Sequence, residues 1–158
     1  MNPTKFDALG QKVTGPSRKL EIFPKPEGVE KVVLESDEVS SLCPVTGQPD
    51  WETVVIEFSP DKYCIESKSL KLYLWSYRNE GTFCEALAGR IASDIFDACK
   101  PHWCTVTVIQ KPRGGIKITA TAKFAFDYSS NEGKNKLAPQ KARASNSIFF
   151  YSRFHLHR

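Results

Sequence analysis

The sequence predicts an α+β fold, an antiparallel sheet with helices packed on one of its faces. Three observations carry that prediction. Apolar and polar residues alternate with period two over residues 51–58, 103–110 and 114–124. Apolar residues recur at helical spacing from Leu70 to Tyr77 and again from Phe83 to Ile95. The link KPRGG, ending at Gly115, is short and glycine-rich, which makes the last two alternating runs a hairpin.

Each element follows in order. Residues 1–28 are rich in Pro, Gly and Lys, lack steady periodicity and read as extended; the arm proper is placed at 1–18 and the domain at 19–128. The β-branched residues from Val29 to Glu35 support a first strand. Trp51 to Phe58 is a second, with Val54, Ile56 and Phe58 on one face. Ser59-Pro60-Asp61 turns the chain into a short strand around Tyr63 to Glu66. Leu70, Tyr73, Leu74 and Tyr77 then stand at i, i+3, i+4 and i+7, the spacing of a helix, which Asn79-Glu80-Gly81 closes with a glycine cap. Thr82 is the expected N-cap of a second helix, and Glu85 three residues on completes a capping box. Phe83, Leu87, Ile91 and Ile95 form the apolar stripe of that helix, which runs to about residue 98. Beyond Tyr128, SSNEGKNKLAPQKARASNS has the composition of a disordered linker, so residues 129–158 are expected to form a basic, disordered tail.

Composition narrows the class of function. A chain of 158 residues with 41% hydrophobic and 25% charged residues is long enough for one proper core. No apolar run approaches the ~20 residues of a membrane span. MNPTKFDALGQKVTG has no apolar core followed by a small-residue cleavage site, so the cytoplasm is the expected compartment. Residues 1–128 hold 16 Lys/Arg against 17 Asp/Glu, whereas residues 129–158 hold six against one. A nearly neutral domain argues against a nucleic-acid binder, leaving at most a weak RNA contact by the aromatic, basic tail. The cysteines are odd in number and form no Cys-x-x-Cys pair, so they are expected to be reduced.

Five segments are candidates for chemistry. In SLCPVTGQPD, residues 41–50, a thiol (Cys43) and an acid (Asp50) share a connection stiffened by Pro44, Gly47 and Pro49. A thiolate is a strong nucleophile and a nearby carboxyl can move a proton; the same pattern also fits a tight turn with a buried thiol. Lys68 and Lys71 lie three apart at the start of the first helix, suited to phosphate groups or to a solvated face. Arg113 beside Gly114 and Gly115 suits a phosphate or simply a hairpin turn. Glu85 either caps its helix or accepts two N–H groups from a guanine-like base edge. CKPHWC, with Cys99, His102 and Cys104, invites a zinc reading, but its spacing matches no closed four-ligand pattern; no metal is expected.

Together, SLCPVTGQPD, ESKSLKLY, SYRNEG, Cys84-Glu85 and KPRGGI resemble one family closely, from roughly Lys19 to Phe124: QueF, the NADPH-dependent 7-cyano-7-deazaguanine reductases of queuosine biosynthesis, in their single-domain form. The resemblance implies a tunnelling fold and a ring-forming homo-oligomer with sites between subunits. It implies that Cys43 attacks the nitrile carbon to give a covalent thioimide and that Asp50 supplies protons to the nitrile nitrogen. It implies a substrate pocket of Ile65, Glu66, Ser67, Cys84 and Glu85, and an NADPH site of Ser67, Lys68, Lys71, Arg113 and Gly114. The family usually has histidine where this chain has Cys84, and often at Glu80. Two alternatives stand beside the reductase: a relative that adds ammonia to the same thioimide within tRNA, and a non-catalytic base- or RNA-binding module.

Overall fold

The computed structural model describes residues 6–10, 12–127 and 135–137. Two long hairpins form the centre of the molecule. Strands β2 (Val32–Leu42) and β3 (Pro49–Ser59) make the first, and β5 (Trp103–Arg113) and β6 (Ile116–Asp127) the second. They join through β3 and β5 into a five-stranded antiparallel sheet of order β2-β3-β5-β6-β7, where β7 is Asn135–Leu137. A separate two-stranded ribbon pairs β1 (Ile22–Pro24) with β4 (Tyr63–Ile65).

Helices α1 (Ser67–Trp75) and α2 (Cys84–Cys99) follow β4 in sequence. The alternation that predicts the strands sets where the core lies. Val54, Ile56 and Phe58 of β3, and Cys104, Val106 and Val108 of β5, point to one face and are fully buried there. Against them α2 lays Leu87, Ala88, Ile91, Ala92, Ile95 and Phe96, which are buried as completely. Each large aliphatic or aromatic side chain so covered contributes roughly 1.5–3 kcal/mol. Among the described residues no helix is long and apolar enough to cross a membrane.

Five local expectations need correction. The extended stretch 1–28 includes a real strand, β1, whose register partners lie 39 to 43 residues away and leave no periodic signature. The first strand starts at Val32 and runs to Leu42, with a register shift between Ser36 and Val39 that interrupts the alternation. Helix α1 ends at Trp75, after which four tighter i→i+3 bonds carry the chain through Tyr77 to Glu80, and Gly81 is not in the left-handed region of a glycine cap. Gly81 instead bridges to Leu42, where an added Cβ would meet Pro44 Cα at 3.2 Å. Finally, no capping box forms. Phe83 is the N-cap of α2 with no side-chain bond, and the Thr82 hydroxyl donates to the Phe83 carbonyl at 3.3 Å. Asn135–Leu137 is a strand inside the segment expected to be disordered; the rest of the tail, and any RNA contact by it, lies outside the described residues.

Candidate active site

The β2–β3 connection is a closed loop. Cys43 N–H donates to the Gln48 carbonyl at 2.8 Å and Gly47 N–H donates to the Cys43 carbonyl at 2.9 Å, with Gly47 at φ 68°. That positive φ lets the intervening backbone turn its N–H groups inward, making a small concavity for an anion. The Cys43 sulfur occupies it. The Thr46 hydroxyl, the Thr46 and Val45 N–H groups and the Arg113 guanidinium all favour its thiolate. Although Cys43 is only 8% exposed, those donors outweigh the cost of burial and hold its pKa at about 6, against an ordinary 9.0. The thiol is therefore mostly thiolate at neutral pH.

Asp50 begins β3 on its buried face, paired in register with Ser41 of β2. Arg113 reaches over from the β5–β6 turn, Nη1 standing 3.3 Å from Asp50 Oδ1 and donating to Gln48 Oε1 at 3.3 Å. Gly114 and Gly115, at φ 60° and 81°, form the two-residue turn that presents it. Arg113 thus touches both members of the thiol–acid pair and offsets the repulsion that an ionised Asp50 would exert on a thiolate.

The segment leading into α2 backs this loop. Leu42 N–H donates to the Glu80 carbonyl and Thr82 N–H donates to the Leu42 carbonyl, each at 3.0 Å. Glu80 is fixed in turn by ion pairs with Arg18 and Arg90, and Arg18 stacks over Tyr77 at 4.0 Å. Cys84 is buried at the start of α2, its thiol donating to the Val108 carbonyl at 3.6 Å. Burial, then the charges of Glu85 and Glu52, push the Cys84 pKa up, so it is no second nucleophile. Glu85 is exposed in the first turn of α2 and makes no cap.

The remaining predicted residues lie elsewhere. Ile65 ends β4, and Glu66 is the N-cap of α1, its carboxylate accepting from Lys68 N–H at 2.8 Å and Ser69 N–H at 2.7 Å. Ser67, Lys68 and Lys71 follow on α1, and Ser67 and Lys71 line a cleft of about 330 Å³ between that helix and β2. α1 rises roughly 13 Å along its axis, and its far end is the one that leads to the nucleophile loop. In CKPHWC, Cys99 and Cys104 are core thiols pushed up to about 12 by burial, and exposed His102 stands 3.9 Å from Asp61.

Sequence reasoning passes over Thr46, Gln48 and Glu52. The first two act through side chains as well as backbone, but what aims them at Cys43 and Arg113 is a loop geometry that no residue pattern announces. Glu52 had a signal: the alternation of Val54, Ile56 and Phe58, extended back two residues, puts a carboxyl on the apolar face.

An antiparallel sheet backed by two helices, with a thiol and an acid brought together beside a hairpin turn, has the architecture of a tunnelling-fold protein. The crystal structure of an archaeosine synthase, QueF-Like, in the apo form shares the fold at a TM-score of 0.57 and 24% identity, over 60% of this chain and 92% of that one. The family model for QueF-like protein matches residues 49–127. Relatives named NADPH-dependent 7-cyano-7-deazaguanine reductase match over most of both chains. The protein of Syntrophus aciditrophicus is 50% identical over 77% of this chain and 87% of its own, and that of Nitrosococcus oceani 44% identical over 69% and 86%. The chain belongs to the QueF family.

Proposed function

We propose that this protein reduces the nitrile of 7-cyano-7-deazaguanine to the aminomethyl group, with NADPH as reductant, through a covalent thioimide on Cys43. The single observation that carries this reading is the depressed pKa of Cys43 within reach of Arg113 and, through it, Asp50. A nitrile carbon is a weak electrophile, and a standing thiolate removes the need for a separate base to activate the attack. The nitrile nitrogen gains basicity as the sulfur bonds, and Asp50 is the acid at hand to protonate it. Glu85, unengaged in a cap, is available to accept from the base edge; Cys84, buried beside it at the start of α2, shapes that pocket as a small apolar wall.

The cofactor's part is to supply hydride. The donor set fits its phosphates in chemistry: Lys68, Lys71 and Ser67 on α1, with Arg113 and the bare backbone of Gly114 at the hairpin turn. These groups fall at two separated places in one chain. That separation supports a homo-oligomer in which the α1 end of one subunit completes the nucleophile end of another.

Intact-mass measurement of the protein incubated with the nitrile base, without NADPH, tests the reading. Wild type gains the mass of one base and Cys43→Ala gains none; NADPH then removes the adduct and is consumed. An unmodified wild type that oxidises no NADPH with the nitrile would sink the proposal.

A further inference from the structure

One buried acid has no part in the scheme above. Glu52 lies two residues beyond Asp50 on the same face of β3 and is only 1% exposed. Its Oε1 accepts a hydrogen bond from Ser41 Oγ at 2.7 Å, while Oε2 is buried with no partner. Native structures leave few buried polar atoms unpaired, and a bare carboxylate oxygen is among the costliest. Ser41 is also the register partner of Asp50. One hydroxyl is therefore bonded to one acid and stands across the ladder from the other. On the remaining sides, Gln110 of β5 is Glu52's own register partner, and Cys84 of α2 is close enough to feel its charge.

We propose that Glu52 is a proton reservoir that recharges Asp50 within each turnover, through the Ser41 hydroxyl. This rests on the reductase reading given above. Taking a nitrile to an amine adds two hydrides at carbon and two protons at nitrogen. Attack by the Cys43 thiolate forms the C–S bond, and nitrogen takes the first proton from Asp50, leaving it ionised. When carbon receives a hydride from the nicotinamide cofactor, nitrogen needs a second proton. The C–S bond then breaks, its electron pair returns to sulfur as thiolate, and the second hydride completes the amine without a further proton.

Asp50 must therefore be reloaded between the two protonations. Ser41 passes its hydroxyl proton to Asp50 and takes the proton of Glu52, which solvent restores after product leaves. Burial holds Glu52 in its protonated form between turnovers, the Ser41 bond opposes this in part, and the charge of Asp50 adds to it only once Asp50 has given up its proton. Neither Ser41 nor Gln110 titrates, and Cys84, the remaining titratable neighbour, is held neutral by burial.

The test uses full-length Glu52→Gln, nearly isosteric and able to keep the Ser41 bond, and Ser41→Ala, which cuts the link. Without NADPH, both form the Cys43 adduct as wild type does, because that step draws a single proton and comes before any recharging is needed. With NADPH in a single turnover at low buffer concentration, decay of the adduct slows about 10-fold or more in each. Added small carboxylic acids restore the rate in both variants and leave wild type unchanged, which a merely structural defect would not show. Adduct decay at the wild-type rate in both variants would overturn the proposal, as would a slow decay that buffer acids fail to relieve. Absence of the adduct in wild type is a different result, and would remove the reductase reading itself.

Discussion

The two ends of helix α1 make an instructive pair. At its C-terminal end the chain backs a loop whose polar groups converge on one sulfur and hold it in its reactive form. At its N-terminal end Glu66 is equally buried, yet its two oxygens are both satisfied by backbone N–H groups of the helix it begins. One end holds reactive groups in readiness. The other is, within a single chain, an N-terminus already capped, with half-buried Lys68 and exposed Lys71 beside it. The difference teaches that burial of a charged group says little about chemistry until its hydrogen-bond partners are counted.

The comparison predicts unequal sensitivity to substitution. The largest effect belongs to the reactive end: Asp50→Asn keeps the shape and removes the transferable proton, so steady-state NADPH oxidation should fall by about 10²–10⁴. Activity within a few-fold of wild type would mean the acid is incidental. At the other end Lys71→Ala should raise the KM for NADPH while leaving the rate of adduct formation on Cys43 unchanged. A slower adduct would show that the two ends are not separable. The smallest effect is structural: Glu66→Ala removes the cap of α1 and should cost about 1 kcal/mol of stability in thermal unfolding, without moving the Cys43 titration. If that titration shifts instead, Glu66 belongs with the nucleophile.

Much of this contrast was legible in the sequence, for stated physical reasons. Period-two alternation located β3, β5 and β6, and the helical stripe located α2 nearly to the residue, because each buries a full face. The motif SLCPVTGQPD identified thiol and acid. What it could not convey is why the thiol ionises, since half of the donors are backbone N–H groups aimed by Gly47. Nor could residue types reveal that Arg113, expected to serve phosphates, also bridges Asp50 and Cys43 across two hairpins. Such a contact depends on the register of β3 against β5, in which Glu52 faces Gln110. Glu66 adds a second role that residue types do not announce: the carboxyl that the motif assigns to substrate also caps α1 through the Lys68 and Ser69 N–H groups.

What sets the reactive end apart is a loop that holds Cys43 as a thiolate at neutral pH. The most direct test follows the rate of Cys43 carboxamidomethylation against pH by peptide mass spectrometry. A single inflection near pH 6 is predicted, with reactivity rising as pH climbs through it and level above. Thr46→Val, which removes the strongest donor, should move the inflection toward higher pH and slow the reaction at pH 6 while leaving it unchanged at high pH. An inflection near 9, the ordinary thiol value, in wild type would contradict the account.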